Sequence, residues 1–196
     1  MSLARLLVLT DRSMCSGGGD PAALRAVIAA AIEFGARAVV VRERDLPVGE
    51  RAGLIADARA ILAPVGGVLI TAGPNGDAVH LAARDPFPAV RPDLVGRSCH
   101  DAAEVARASA EGCDYVTISP VFPTPSKPGY GPALTLSGLA EMIPGAPAAY
   151  ALGGVRPSDV AGCLGAGARG IAVMGPVMRT PRIVEDYLAA LEEVSA

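Results

Sequence analysis

The sequence predicts one closed (β/α)8 barrel, an α/β fold of the TIM type, occupying residues 1–196 as a single domain. Three observations carry that expectation. Short apolar runs rich in β-branched residues alternate with longer Ala-rich stretches, the order that parallel strand pairing through helical crossovers requires. Hydrophobic residues make up 51% of the chain and aromatic residues only 4%, so the core is built from Ala, Val, Leu and Ile, as in layered α/β proteins. No composition break divides the chain, and 196 residues suffice for one sizeable core.

The strands follow in order. Leu6–Thr10 is apolar and stops at Asp11 and Arg12. The stripe Leu24, Val27, Ile28 and Ile32 makes a first helix that Gly35 closes as a left-handed cap, leading into a second strand at Ala38–Arg42. Val68–Thr71 and Ala78–Leu81 are the third and fourth strands, and only six residues, 72–77, separate them. A parallel crossover normally needs about a dozen residues, and six reach about 20 Å at roughly 3.3 Å each, so the third helix is missing. Leu94–Ser98 is the fifth strand, with Asp101 placed to cap the helix after it. Tyr115–Ile118 is the sixth, followed by a proline-rich loop suited to a lid. Ala148–Leu152 is the seventh, with Ser158 at the expected next N-cap, and Gly170–Met174 is the eighth, before a helix with the stripe Ile183, Tyr187 and Leu191.

Charge and composition exclude several classes. A formal net charge of −3 offers no general attraction to nucleic acid. Cys15, Cys99, Cys113 and Cys163 lack C-x-x-C spacing and read as reduced thiols, not a zinc site. The opening apolar run is too short for a signal-peptide core and no 18-residue uncharged apolar segment exists, so a cytoplasmic protein without a membrane partner is expected. The missing helix leaves apolar strand surface that a homodimer would cover.

Active sites of such barrels lie at the carboxyl ends of the strands. After the second strand, alternation puts Arg42 and Arg44 on one face and Glu43 on the other, so two guanidiniums converge on one anion or, alternatively, form a solvated rim. The fifth strand points Ser98 and His100 into the mouth and Cys99 away. His100 is the candidate acid/base group, a satisfied structural histidine being the alternative, and His80 reads as structural. Thr124, Ser126 and Lys127 offer hydroxyls and a cation to an anion from the loop after the sixth strand, a merely exposed lysine being the alternative. Gly153 and Gly154, then Met174 and Gly175, close the seventh and eighth strands, where barrels commonly hold phosphate on backbone N–H groups, an ordinary turn being the alternative for Gly153-Gly154.

With those residues laid out, the chain resembles the thiamine-phosphate synthase and thiazole tautomerase superfamily along nearly its whole length. The landmarks are Leu9-Thr10-Asp11-Arg12, Arg42-Glu43-Arg44, Val79-His80-Leu81, Gly96-Arg97-Ser98-Cys99-His100, Asp114-Tyr115-Val116 with Phe122–Lys127, Ala151-Leu152-Gly153-Gly154 and Gly170–Met174. The resemblance implies a small phosphorylated heterocycle, a thiazole phosphate, as substrate.

A synthase of this family joins a pyrimidine diphosphate to thiazole phosphate with loss of pyrophosphate, with Mg²⁺ on two aspartates. It usually carries Gln-Leu-Arg-Glu-Lys after the second strand and Asn-Asp-Arg after the third. Here Val40-Val41-Arg42-Glu43-Arg44 and Thr71-Ala72-Gly73 stand there, and only Asp85 matches a metal position. The tautomerase branch is similar at Arg-Glu-Arg, Gly-Arg-Ser-x-His and Gly-Ile-Ala-Val-Met, all present. The resemblance therefore points to a thiazole tautomerase, an isomerase without metal or other cofactor, with His100 moving a proton in a thiazole carboxylate phosphate. The alternatives are a Mg²⁺-dependent synthase using Asp85, and a catalytically silent binding protein.

Overall fold

In a computed structural model, which describes residues 3–124 and 132–194, every predicted run forms a strand. They are β1 (Leu6–Leu9), β2 (Ala38–Val41), β3 (Val68–Ala72), β4 (Ala78–Leu81), β5 (Leu94–Cys99), β6 (Tyr115–Ile118), β7 (Ala148–Leu152) and β8 (Gly170–Val173). All pair in parallel in chain order, and β8 returns to β1 through Leu6–Ile171, Leu7–Ala172 and Val8–Val173, closing the barrel. Closure leaves no sheet edge with unpaired N–H and C=O groups.

The two-residue period of a strand sorts side chains into two cores. Leu7, Leu9, Val40, Ile70, Tyr115 and Tyr150 fill the barrel, whereas Val8, Val39, Val41, Val95, Val116 and Ile171 face the outer layer. The two interior tyrosines meet edge to face with ring centroids 5.7 Å apart. Two glycines make room for them: a Cβ at Gly96 would run into the Tyr115 ring, and one at Gly170 into the Arg5 carbonyl and the Tyr150 ring. Large residues set against absent side chains let a narrow barrel fill to the density of a protein interior.

The helices are α1 (Pro21–Glu33), α2 (Val48–Leu62), α3 (Ala102–Ala110), α4 (Thr135–Met142), α5 (Val160–Gly165), α6 (Gly175–Arg179) and α7 (Ile183–Glu193). Helix α1 buries Leu24, Ile28 and Ile32, and Asp20 caps it by accepting the Ala22 N–H. Gly35 follows at φ +105°, a backbone setting that favours glycine. Asp101 caps α3 as expected, accepting the Glu104 N–H at 2.8 Å. Ser158 does not cap α5: it lies within a 3-10 turn at Pro157–Asp159, and the Asp159 carboxylate accepts the Arg156 N–H at 2.9 Å. On α7 the buried stripe is Val184, Tyr187 and Leu191, so Val184 takes the core position expected of Ile183.

No helix joins β3 to β4; residues 73–77 make the connection, and the Thr71 hydroxyl lies 3.0 Å from the Asn75 carbonyl that it donates to. The expectation of one missing helix falls short, because residues 82–93 between β4 and β5 hold none either. Pro86, Pro88 and Pro92 remove backbone donors there and break helical continuity. An outward-facing arginine does the helix's work. Arg97 is fully buried, and its Nη1 donates to the carbonyls of Ala82, Ala83 and Asp85 at 3.0, 3.1 and 2.9 Å. Its Nη2 pairs with Glu111 at 2.6 Å. Arg107 of α3 binds the same carboxylate at 2.8 Å and the Ala83 and Asp85 carbonyls at 3.1 and 3.2 Å. A buried charge is tolerable when it is both paired and hydrogen-bonded, as here.

Outside β3, a groove of about 250 Å³ is lined by Leu62, Leu69, Thr71, Gly76 and Asp77 among others. Among the described residues no helix is long and apolar enough to cross a membrane.

Candidate active site

The site is built where the strands end. Thr10, just past β1, accepts the Arg42 N–H at 3.0 Å and donates its hydroxyl to Glu43 at 2.7 Å. Glu43 is almost fully buried and also pairs with Arg12 at 3.2 Å, while Arg12 grips Asp45 through both terminal nitrogens at 2.7 and 2.6 Å. These contacts push the Arg12 pKa further up and hold that of Asp45 down. The network stiffens the backbone from which Arg42 and Arg44 project. Glu43 thus faces away from the mouth, as alternation requires.

The two arginines do not converge. Arg42 reaches across to β8, where its Nη1 donates to the Met174 sulfur. Arg44 turns the other way, lies over Gly73 at the end of β3 and pairs with Asp85 at 2.8 Å. A third guanidinium, Arg51 of α2, donates to the Ala72 carbonyl at 2.6 Å. Burial first, and the Arg44 charge second, lower the Arg51 pKa. Sequence reasoning passed over Arg51 because a single arginine on a helix carries no local signal; only the fold brings it to the tip of β3.

Asp85 accepts the Ala82 N–H at 3.0 Å besides the Arg44 guanidinium. A protein-held Mg²⁺ wants several oxygen donors with negative charge left to share. Among the described residues no group of three His, Cys, Asp or Glu side chains is placed to hold a metal, and the charge of Asp85 is already answered by Arg44. The donor set of this chain does not fit a magnesium site made by protein alone.

On β5, Ser98 is half-buried at the mouth and its hydroxyl lies 2.9 Å from His80 Nε2. His80 Nδ1 lies 3.0 Å from the Tyr115 hydroxyl, with the two rings stacked at 5.5 Å. Burial, aided by the charges of Arg42 and Arg97, pushes the His80 pKa down to about 3, so the ring is neutral. His100, one step further along β5, keeps 18% of its side chain exposed, and its ring Nδ1 is 4.0 Å from Glu104. The same carboxylate accepts the His100 backbone N–H at 2.7 Å, which fixes the base of the side chain. Cys99 points into the outer core, where burial raises its thiol pKa to about 12. All four cysteines are free and buried.

Thr124 lies half-buried beyond β6. Ser126 and Lys127 lie outside the described residues. At the other rim, Gly153 and Gly154 adopt φ of +92° and +68°. Their closest neighbour is the loop after β6: the Val121 and Phe122 N–H groups donate to the Leu152 and Gly153 carbonyls at 2.9 Å each. A Cβ at Gly153 would press on Pro120, and one at Gly154 on Phe122 and Pro123. These glycines therefore admit a neighbouring loop, a use that sequence reasoning did not foresee. Gly175 is buried against Met14 and Arg179, and Met174 accepts from Arg42.

A parallel barrel whose carboxyl mouth gathers guanidiniums at β2–β4, hydroxyls and imidazoles at β4–β6 and glycine turns at β7–β8 defines an enzyme class suited to small phosphorylated substrates. The chain belongs to the thiamine monophosphate synthase family, whose model matches residues 6–177. It is thus an enzyme of thiamine biosynthesis. It is 37% identical to a thiamine-phosphate synthase of Anaeromyxobacter dehalogenans, across 83% of this chain and 78% of that one. It is 34% identical to a thiamine-phosphate synthase of Methanoculleus marisnigri, across 94% of this chain and 95% of the relative. A solved thiamine phosphate pyrophosphorylase from Pyrococcus furiosus superposes with a TM-score of 0.81 over 98% of this chain and 97% of its own, at 23% identity, and attests the fold. These relatives carry the synthase name, and the expectation of a tautomerase gains no support from them.

Proposed function

We propose that the protein is a transferase of the thiamine-phosphate synthase type, joining a pyrimidine diphosphate to a thiazole phosphate and releasing pyrophosphate. The observation that carries this reading is the division of cationic groups across one mouth. Arg44 and Arg51 gather at the ends of β3 and β4, while Arg42 turns the other way, past the end of β1, to Met174 at the end of β8. Two separated anion positions suit two phosphorylated substrates, and guanidinium forks suit the oxygens of a diphosphate. In this reading Arg44 and Arg51 hold the leaving diphosphate and Arg42 lies between the two substrates. The family landmarks Ser126 and Lys127 are assigned to substrate binding on sequence alone, and Gly153, Gly154, Met174 and Gly175 border the thiazole phosphate.

Magnesium, where it serves this reaction, supplies charge neutralisation on the diphosphate. Such a cation would be held by the oxygens of the diphosphate, and Asp85, paired with Arg44, would join it only by giving up that partner. The support for the synthase reading is the names of the relatives together with the guanidinium cluster.

A second reading is favoured by one specific feature. His100 follows β5 with its backbone fixed by Glu104, and a single positioned imidazole acting as acid and base is what a metal-free proton transfer within a thiazole carboxylate phosphate needs. One paired assay separates the readings: pyrophosphate release from both substrates with Mg²⁺, against isomerisation of the thiazole carboxylate phosphate in EDTA. Pyrophosphate release is the expected result. Isomerisation alone, abolished in His100→Ala, would replace the synthase by the tautomerase, and ligand binding without either turnover would leave a silent binding protein.

A further inference from the structure

Beneath the mouth runs a short polar chain with one end in the core and the other at the ligand face. Tyr115 is fully buried, its hydroxyl meets His80 Nδ1 at 3.0 Å, and His80 Nε2 meets the Ser98 hydroxyl at 2.9 Å. Distances alone do not say which atom donates; the hydrogen inventory does. A phenol surrounded by protein carries one hydrogen, and burial holds the Tyr115 pKa well above its ordinary value, so that hydrogen stays on. A buried donor left without an acceptor is costly, and the acceptor within reach is Nδ1. Nδ1 must therefore be the unprotonated nitrogen. The ring is neutral, so its one N–H sits on Nε2 and donates to Ser98.

We infer that Tyr115, acting through His80, holds the Ser98 hydroxyl with its hydrogen free to point into the mouth, so that Ser98 donates to an anionic oxygen of the ligand. Having accepted from His80, the Ser98 hydroxyl retains its own hydrogen for a partner on the open side. Two neighbours argue that this partner is anionic. Arg42 is close enough for its charge to act on His80. Thr117 is paired in register with Ser98, shares its inward side and is fully buried, and its Oγ1 has no hydrogen-bond partner among the described residues. Two hydroxyls in register with a guanidinium charge acting nearby recognise phosphate or carboxylate oxygen better than they recognise a donor group. Tyr115 is here a positioning residue: it touches no ligand and acts by choosing the His80 tautomer.

The inference rests on reading the mouth as an anion site, not on the transfer reaction. The test uses the full chain and inorganic pyrophosphate without metal. Nitrogen-15 NMR of the free protein should find His80 as the Nε2–H tautomer, and calorimetry should find pyrophosphate affinity about 10-fold lower in Ser98→Ala. Tyr115→Phe removes the phenolic hydrogen with little change of shape. It should return a mixture of His80 tautomers and an affinity about 3-fold lower, with no further loss when it is combined with Ser98→Ala. An Nδ1–H tautomer in the free protein overturns the inference whatever the ligand does. So does full affinity in Ser98→Ala, a loss in Tyr115→Phe that adds to that of Ser98→Ala, or failure of pyrophosphate to bind at all. Pyrophosphate bound through Ser98 by a protein that cannot join the two substrates would sink the proposed reaction and leave this inference standing.

Discussion

Acid should destabilise this protein through His80. Burial holds the His80 pKa near 3 against an ordinary value of 6.5. Below pH 6.5 the unfolded chain takes up a proton that the native ring refuses. The unfolded state then binds more protons, and stability falls as pH drops until the native pKa is reached. Each pKa unit is about 1.4 kcal/mol, so moving from pH 7.5 to 5 costs about 2 kcal/mol and descending to pH 3 about 4 kcal/mol. The perturbation is His80→Gln, which keeps a neutral polar group facing Tyr115 and Ser98 but cannot titrate. Urea denaturation at pH 7.5 and pH 5 gives four stabilities, and the wild type should lose about 2 kcal/mol more than the variant between the two pH values. For a chain of this size that is a melting-temperature difference of roughly 4–8 °C. Equal losses in the two proteins would refute the reasoning, since every other titrating group is shared.

Arg97→Met should cost about 1–3 kcal/mol in chemical denaturation, because it leaves the Ala82 carbonyl without its donor and Glu111 and the Ala83 and Asp85 carbonyls to Arg107 alone, and Arg97→Lys should not restore the loss, since an ammonium cannot span that fork. Gly96→Ala drives a methyl into the Tyr115 ring; about 1–3 kcal/mol of destabilisation is expected, and an unchanged melting temperature would contradict the interior packing described. Tyr187→Phe removes the 2.8 Å hydrogen bond to the Val155 carbonyl and should lower stability by about 1 kcal/mol, read by the same titration. Arg44→Ala should weaken pyrophosphate binding by at least 10-fold in calorimetry; unaltered affinity would remove Arg44 from the diphosphate position.

Strand positions were legible because they depend on neighbours in the chain. The β-branched runs, their two-residue period and the count of six residues between Thr71 and Ala78 are local facts, and they suffice for eight parallel strands and an absent third helix. Inward and outward faces came with them, so that Ser98 and His100 were assigned to the mouth, and Cys99 and Glu43 away from it, from alternation alone. The landmarks at Arg42–Arg44 and Gly96–His100 were likewise enough for the family.

Partnership was not legible, because it is decided between residues far apart in sequence. Arg42 and Arg44 share a face, yet one binds Met174 at the end of β8, past β1, and the other Asp85 on β4's loop, since guanidiniums go to the acceptors that the closed sheet brings near. The second absent helix escaped notice because twelve residues, 82–93, are long enough for one; three prolines and the buried Arg97 clamp decide otherwise. His80 looked like an ordinary core histidine, and its link from Tyr115 to Ser98 exists only because β4, β5 and β6 lie side by side. Local periodicity sets where the chain runs straight and which way its side chains point; closure of the barrel sets which of them meet.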